Sequence, residues 1–344
     1  MFRNARRTSW TRSLAVAVAV TAAVGLAGCS TTAPTGGGTA PTSKTIVLIP
    51  KATGDPFFAA VRTGAEKAAK ELGYTIDFVG PSTADAAGQV TAIENAIQTK
   101  PAAITIAPND PSAVAPALKQ AMKAGITVST YNAEADTDAR EFFINQADNL
   151  QVAQAITDTM ADQVNQKGTF LLVTSTSTAA NQITWVKQMQ QYIPTKYPGM
   201  KIDQVIPGND DPATVLSVTT SYLAAHPDTT GVWVIGGGMS GAIKAEQSLN
   251  IDPHKVPVAG LCIPSDVKDM VKSGLIKNCV LWDPADMGYT DVYAIDAKIK
   301  GTYPKSGNGT LKAGDKGSLK VVDNVVVAGK PLIFTADNID QYNF

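Results

Sequence analysis

From residue 45 onward, short apolar runs of strand length alternate with longer segments that have the period of an α-helix. The apolar runs lack regular polar positions, which is typical of parallel strands covered on both faces. Strands are predicted over 45–49, 74–79, 102–107, 126–130, 142–145, 169–174, 202–206, 232–235, 256–261 and 279–282. Helices are predicted over 55–72, 86–98, 111–124, 149–166, 182–197, 212–225, 240–249, 265–273 and 284–300. The alternation therefore predicts an α/β fold with parallel sheets.

The length of the chain favours two domains. It has 344 residues, and single domains commonly contain about 100 to 200 residues. The tail differs from the rest, because apolar runs at 319–327 and 332–335 flank Ala328-Gly329-Lys330 without a helix between them. This pattern predicts either a hairpin or a return crossing between the domains.

The N-terminus carries the features of an export signal. Four arginines precede an uncharged apolar run over 14–26, which ends in Leu26-Ala27-Gly28-Cys29. We interpret residues 1–28 as a signal peptide. The last four residues resemble the lipobox of bacterial lipoproteins, which implies a lipid on Cys29 and a location on the extracytoplasmic face of the cell membrane. Residues 29–43 are rich in Gly, Ser, Thr and Pro and are predicted to form a flexible tether.

Composition argues against several functions. The 29 basic and 30 acidic residues leave a net charge of −1, so no nucleic-acid partner is expected. His226 and His254 each lie beside a proline in a predicted loop, which removes the usual carriers of hydrolase triads and histidine metal sites. We therefore predict no catalytic residue, no metal and no cofactor.

The glycine-rich segment 236–241 satisfies the G-x-G-x-x-G pattern of dinucleotide sites. Such a site needs an acidic residue at the end of the next strand, but this chain has Gly260-Leu261-Cys262 there. We interpret the segment as a cavity wall without side chains, at which a small ligand approaches the backbone near Gly238.

Aromatic, amide and charged residues follow the ends of the predicted strands. Open parallel sheets bind ligands at this edge. The candidate ligand residues are Lys51, Phe57, Phe58, Asn109, Asn132, Glu134, Asn181, Gln182, Trp185, Gly238 and Asp283. Rings beside hydrogen-bonding side chains suit a ligand with C–H faces and many hydroxyls. No predicted cleft loop supplies a surplus of arginines, so an uncharged sugar or polyol is expected.

Cys262 and Cys279 are the two cysteines that follow the signal region. Each lies in or just after one of two consecutive strands, which are expected to be neighbours about 4.8 Å apart. We predict a disulfide between them in the second lobe; because their register is open at this point, two buried free thiols are the alternative.

Residues 45–344 resemble the type I periplasmic binding proteins of sugar ABC transporters, and within them the autoinducer-2-binding and rhamnose-binding branch. The matching stretches are 49–58, 80–81, 88–89, 109–111, 140–146, 181–187 and 281–283. The resemblance implies two Rossmann-like lobes joined by three hinge crossings, and an ABC permease as partner. We predict a monomer without enzymatic activity.

With this architecture, we assign residues 44–131 and 284–318 to lobe 1. Residues 132–283 and 319–344 are assigned to lobe 2. The hinge crossings are then expected near 131–135, 283–286 and 319–323.

The resemblance also bears on the ligand. Lys51 and Gln182 match ligand residues of the autoinducer-2 branch, whereas Asn132 and Asn181 stand where that branch has aspartates. Since an ionised aspartate only accepts hydrogen bonds and asparagine also donates, a sugar or sugar alcohol is favoured. Autoinducer-2 is the alternative ligand. Presentation of a ligand to a sensor kinase, instead of a permease, is an alternative function.

Overall fold

The computed structural model describes residues 43–344. Cys29, the predicted signal peptide and the predicted tether up to residue 42 lie outside the described residues. The strands in the described part are β1 (Thr45–Ile49), β2 (Thr75–Phe78), β3 (Ala103–Ile106), β4 (Thr127–Tyr131), β5 (Phe142–Asn145), β6 (Lys167–Thr174), β7 (Gly199–Pro207), β8 (Gly231–Val234), β9 (Val258–Gly260), β10 (Cys279–Leu281), β11 (Gly309–Lys312), β12 (Ser318–Val322), β13 (Val325–Val327) and β14 (Leu332–Phe334).

Helices connect most of these strands. They are α1 (Pro56–Leu72), α2 (Ala86–Thr99), α3 (Pro111–Lys123), α4 (Asn149–Ala161), α5 (Ala180–Lys196), α6 (Pro212–Ala225), α7 (Met239–Ser248), α8 (Pro264–Lys272) and α9 (Pro284–Ile299). Among residues 43–344, no helix combines the length and the apolar character that crossing a membrane would require.

The first lobe is built on an eight-stranded sheet with the order β11-β12-β13-β5-β4-β3-β1-β2. Alternate side chains of β1 enter two different cores: Ile46 and Leu48 face one, and Val47 and Ile49 face the other. Helices α1 and α9 pack against each other on one side, and α2 and α3 on the other. Because both faces are covered at the centre of the sheet, β1 lacks polar alternation, as the sequence predicted, whereas the edge strand β2 alternates exposed Thr75 and Asp77 with Ile76 and Phe78.

The second lobe has a parallel sheet with the order β7-β6-β8-β9. A parallel bridge from Leu261 to Val280 continues it to β10, which pairs with β14 in the antiparallel direction. Helices α4 and α5 pack together, as do α6 and α7. The prediction of an α/β fold with two parallel-dominated lobes is confirmed.

The lobe boundaries differ from the predicted ones. Strands β5, β12 and β13 pair within the first sheet, although residues 142–145 and 319–327 were assigned to lobe 2. The chain therefore crosses between the lobes at 146–148, 282–283 and 328–331. The predicted crossing at 283–286 overlaps the observed one at 282–283. The predicted crossings at 131–135 and 319–323 lie earlier in the chain than the observed ones at 146–148 and 328–331.

Local turn chemistry explains part of this difference. The apolar run 319–327 is interrupted by Asp323-Asn324, both in the left-handed region with φ of 50° and 60°. These residues close a hairpin between β12 and β13, and Asn and Asp tolerate such angles better than most residues. Ala328-Gly329-Lys330 is thus the return crossing and not the hairpin turn.

Candidate ligand-binding cleft

A cavity of about 660 Å³, including its open mouth, lies between the lobes at the carboxyl ends of their strands. Both lobes contribute side chains to it. The lining residues are Lys51, Asp55, Phe57, Phe58, Asn132, Asn181, Gln182, Trp185, Asp210, Ile235, Gly236, Gly237, Gly238, Met239, Ser240, Leu261, Cys262, Ile263, Asp266, Val267, Leu281 and Trp282. Strand-end loops of two parallel sheets thus face one space, as expected for this class of sheet.

Four aromatic rings form one part of the wall. Phe57 packs edge-on against Phe58 with ring centroids 5.0 Å apart, and against Trp282 at 6.1 Å. Trp282 lies 5.7 Å from Trp185. The ring centroids of Phe58 and Tyr131 lie 6.3 Å apart, so the cluster also packs against the core of the first lobe. Both phenylalanines line the cavity, although adjacent helical positions point in different directions.

The start of α1 holds these rings in place. Asp55 is the N-cap and accepts a hydrogen bond from the Phe57 N–H at 2.9 Å, with Pro56 at the first helical position. Capping satisfies a backbone donor that would otherwise lack a partner. The same carboxylate lines the cavity, and its pKa is raised to about 7 by burial and by the nearby Asp210.

Lys51 is 3% exposed, which is unusual for lysine. Its ammonium donates to Asn181 Oδ1 at 3.3 Å. Burial lowers the pKa of Lys51, while the carboxylates of Asp210 and Asp55 act in the opposite direction. The Lys51 side chain is therefore desolvated, and carboxyl groups of both lobes counteract the effect of burial on its pKa.

Backbone contacts fix the position of Lys51. Asn109 Nδ2 donates to the Lys51 carbonyl at 2.9 Å, and the Asn109 N–H donates to Gln89 Oε1 at 2.8 Å. Gln89 in turn donates to the carbonyls of Pro50 and Ala107. This network joins the ends of β1 and β3 beneath the cavity.

The amide side chains of the wall lie next to one another. Asn181 Nδ2 donates to Asn132 Oδ1 at 3.5 Å, which links a strand-end loop of the first lobe to α5 of the second. Gln182 Oε1 accepts a hydrogen bond from the Ser175 N–H at 2.5 Å, so its orientation is set and its Nε2 atom is the end that can donate. All three amides are at least nine-tenths buried.

Eight of the eleven predicted ligand residues line the cavity, and three do not. Asn109 lies behind Lys51, as described above. Glu134 forms a bidentate ion pair with Arg140, with distances of 3.1 and 2.7 Å. Asp283 caps α9 by accepting from the Ala285 N–H at 2.9 Å. All three residues follow predicted strand ends, which is why they were expected at the cavity. The Asp283 carboxylate is instead engaged as a helix cap and the Glu134 carboxylate in an ion pair.

Other lining residues were not predicted as ligand residues. Asp55 lies at the start of the predicted helix 55–72 and Trp282 at the end of the predicted strand 279–282, and both line the cavity. Asp210 and Asp266 were missed, because one follows the edge strand β7 and the other lies inside the first turn of α8. The indole N–H of Trp282 is buried without a hydrogen-bond partner among the described residues.

The three glycines at 236–238 line the cavity, but their small size is required by the protein itself. A Cβ added to Gly236 would lie 2.8 Å from Asp210 Oδ1, and one added to Gly237 would lie 3.2 Å from the Asp210 Cβ. The loop after β7 therefore packs directly on this wall.

Cys262 and Cys279 are joined by a disulfide with their Cα atoms 5.8 Å apart. Cys262 itself lines the cavity, and Cys279 begins the strand that leads to Trp282. The register between β9 and β10, left open by the sequence, brings the two thiols within bonding distance.

A family model for the periplasmic binding protein domain matches residues 46–302. The ribose import binding protein RbsB of Escherichia coli (strain K12) is 25% identical over 258 residues, which cover 75% of this chain and 85% of that protein.

Solved structures show the same fold. LsrB from Clostridium saccharobutylicum, in complex with AI-2, aligns with a TM-score of 0.82 at 26% identity and covers 87% of this chain and 100% of that one. An ABC transporter solute-binding protein from Clostridium phytofermentas, with bound L-rhamnose, aligns with a TM-score of 0.82 at 28% identity. The alignment covers 88% of this chain and 98% of that one. With two parallel-sheet lobes around one cleft and a family match over most of its length, the chain belongs to the periplasmic binding proteins, in their type I form.

Proposed function

We propose that this chain is the solute-binding lipoprotein of an ABC importer, and that it captures a small uncharged sugar or sugar alcohol between its lobes. The observation that carries the proposal is the composition of the cavity wall. Aromatic rings lie beside buried amides and one buried lysine, in loops and helices of both lobes. Rings offer faces for C–H groups, and amides exchange hydrogen bonds with hydroxyls.

Individual groups fit a ligand with several hydroxyls. Lys51 donates, Asn132 and Asn181 donate and accept, and Gln182 has a free amide nitrogen. The indole N–H of Trp282 adds a buried donor without a partner among the described residues. A buried donor without a hydrogen bond destabilises the protein by about 1 to 3 kcal/mol. A ligand oxygen that accepts a hydrogen bond from this N–H would remove that cost.

The charges of the cavity disfavour an anionic ligand. Its ionisable lining residues are Lys51 and the carboxyl groups of Asp55, Asp210 and Asp266. Because one lysine faces three carboxyl groups, the cavity has no surplus of positive charge to bind a sugar acid or sugar phosphate. Asn109, Glu134 and Asp283 do not line the cavity and are not part of the proposed ligand site.

Family membership implies that the protein acts outside the cytoplasm. Relatives named for the import of ribose support transport as the output. We further propose that the lipid on Cys29 anchors the protein at the membrane. Replacing Cys29 with Ser should abolish lipid processing and release the protein from the membrane fraction, whereas unchanged retention and processing would contradict the anchor.

AI-2 is the second candidate ligand, favoured by the structural similarity to an AI-2 complex and by Lys51 and Gln182. The amides of Asn132 and Asn181 stand where the AI-2-binding branch has aspartates, so AI-2 would lose two charge-assisted hydrogen bonds, and a sugar or sugar alcohol is favoured over it. Each such bond contributes about 1.5 to 3 kcal/mol.

A thermal-shift screen followed by calorimetry tests the proposal. The panel should contain pentoses, hexoses, deoxyhexoses, acyclic polyols and AI-2, with uronic acids as the charged control. A ligand at 100 times its Kd stabilises the folded state by about 2.7 kcal/mol, so a true ligand gives a clear shift. We expect at least one neutral sugar or polyol to bind and the uronic acids to fail. Binding of AI-2 alone would favour the second candidate.

A further inference from the structure

Asp210 lies in the short connection between β7 and α6, at residues 208–211. Asn209 and Asp210 both have left-handed backbone, with φ of 56° and 54°. The connection is held to the end of the neighbouring strand, since Gly208 N–H donates to the Thr174 carbonyl at 2.7 Å and Asn209 N–H to the Ser175 carbonyl at 3.0 Å. This conformation turns the Asp210 side chain toward the cleft, where it lines the cavity.

Both carboxylate oxygens of Asp210 have a donor. Ser175 Oγ donates to Oδ2 at 2.5 Å, and the Gly237 N–H donates to Oδ1 at 2.7 Å. Ser175 follows β6 and Gly237 follows β8, while β7 and β8 flank β6 in the sheet. One side chain thus joins the carboxyl ends of three adjacent strands.

The network continues to a candidate ligand residue. The Ser175 N–H donates to Gln182 Oε1, so the serine connects Asp210 to the amide that faces the cavity. The contact also explains the glycines at 236 and 237, whose added Cβ atoms would lie within 3.2 Å of Asp210 atoms.

Asp210 and Lys51 line the same cavity from opposite lobes. Lys51 is buried, which lowers its pKa, and Asp210 is the strongest influence that keeps the pKa higher. The other carboxyl groups of the cavity are Asp55, at the start of α1, and Asp266, on α8. Asp55 acts on Lys51 in the same direction as Asp210, but less strongly.

We propose that Asp210 is a positioning residue for ligand binding, which holds the second-lobe wall in its binding geometry and supplies the counter-charge for Lys51. The proposal rests on the ligand cleft proposed above. Asp210 needs no direct contact with the ligand for this role, because both its oxygens already accept hydrogen bonds from the protein.

Three variants separate positioning from a general effect on folding. Asp210→Ala removes charge and hydrogen bonds, and Asp210→Asn removes the charge and keeps the shape. Asp211→Ala is the matched control, because the Asp211 carboxylate caps α6 through the N–H and hydroxyl of Thr214, at 2.8 and 2.7 Å, and does not line the cavity.

Binding is measured by calorimetry between pH 6 and pH 9, with D-ribose and L-rhamnose first and then the best neutral ligand of the screen. We expect Asp210→Ala to bind about tenfold to a hundredfold more weakly, in line with the loss of a charged hydrogen bond. Asp210→Asn should lose affinity with rising pH earlier than the wild type, because Lys51 loses its proton at lower pH. Asp211→Ala should melt at a lower temperature and bind within twofold of the wild type.

A second measurement needs no ligand. Titration of the lysine side chains by NMR, with Lys51 assigned through Lys51→Met, should show a lower pKa for Lys51 in Asp210→Asn and no change in Asp211→Ala. If no sugar or polyol binds the wild type, the proposed function fails, and this titration still decides the role of Asp210. Affinities within twofold of the wild type in both Asp210 variants, or a Lys51 titration unchanged in Asp210→Asn, would overturn the inference.

Discussion

The ammonium of Lys51, which follows β1 in the first lobe, donates a hydrogen bond to Oδ1 of Asn181 in the second lobe at 3.3 Å. Asn181 Nδ2 also donates to Asn132 Oδ1 at 3.5 Å, and the Thr178 hydroxyl donates to the Asn109 carbonyl at 3.0 Å. The lobes therefore meet through polar groups beside the cavity. Lys51 and Asn181, which we propose as ligand contacts, thus also join the two lobes, so we expect ligand binding to be coupled to closure.

Replacing Lys51 with Met should weaken ligand binding. Methionine keeps much of the apolar stem and removes the donor, which contributes about 1.5 to 3 kcal/mol as a charged hydrogen bond. We expect affinity, measured by calorimetry, to fall by about tenfold or more. Lys201→Met is the control, because Lys201 is exposed on β7 away from the cavity, and equal affinities of the two variants would contradict a role for Lys51.

Asn132→Ala and Asp283→Ala should differ in their effect on ligand affinity. Asn132 lines the cavity, so its loss should weaken binding by about 1 kcal/mol, the usual contribution of a neutral hydrogen bond. Asp283 caps α9, so its loss should lower the free energy of unfolding by about 1 kcal/mol and leave affinity close to the wild type. Denaturant unfolding and calorimetry on both variants check this; a larger loss of affinity in Asp283→Ala would place it in the site after all.

Reduction of the disulfide should destabilise the protein. The bond closes a loop with a sequence separation of 17, for which loop entropy predicts a stabilisation of about 3 kcal/mol. We expect a phosphine reductant to lower the melting temperature, with no effect on the Cys262→Ser/Cys279→Ser double variant. A wild-type melting temperature that does not respond to complete reduction would contradict the prediction.

Glu246 on α7 is 1% exposed, and both of its carboxylate oxygens lack a hydrogen-bond partner among the described residues. Burial raises its pKa from the usual 4.5 to about 8. Between these values the folded state keeps the proton and the unfolded state releases it, so stability falls as pH rises from about 4.5 to about 8. Glu246→Met should therefore stabilise the protein more at pH 8 than at pH 4.5.

Thermal unfolding at both pH values measures this difference. Glu94→Met, at an exposed position of α2, controls for the general effect of methionine. An equal gain in melting temperature at the two pH values would mean that Glu246 is not the titrating group.

Ligand should also reduce the size of the protein in solution. The crossings at 146–148, 282–283 and 328–331 are each only a few residues long, as hinges between rigid lobes commonly are. We expect a smaller radius of gyration by small-angle X-ray scattering when the cognate ligand saturates the protein. A radius that stays constant while calorimetry shows binding would exclude hinge closure.

Much of the fold follows from local pattern. Asp55-Pro56 marks the first helix correctly, and runs such as 142–145 have the observed strand bounds. Covered parallel strands are apolar throughout and helices have a 3.6-residue period, so both signals are contained in neighbouring residues. The strand-end rule likewise located Lys51, Phe57 and Phe58 at the cavity, because chain order alone determines where a strand ends.

The local pattern does not determine which distant segments pair with one another. The strand 142–145 pairs with β4 and β13 in the first lobe, and the hairpin at Asp323-Asn324 returns the chain to the same sheet. The sequence of an apolar strand does not indicate which sheet it joins, because the core of either lobe would bury its side chains equally well. For the same reason, the sequence left the pairing of Cys262 with Cys279 open until the register of β9 and β10 was known.

The sequence by itself determined the fold class, the strand ends and the chemistry available at the cleft. Tertiary structure decided how each polar side chain is used. Asp283 is engaged by its own helix and Glu134 by Arg140, whereas Asp210, which lacks a distinctive local pattern, joins three strand ends at the cavity wall. A carboxylate accepts hydrogen bonds from whichever donors lie within about 3 Å, and only the folded chain brings residues 175, 210 and 237 that close.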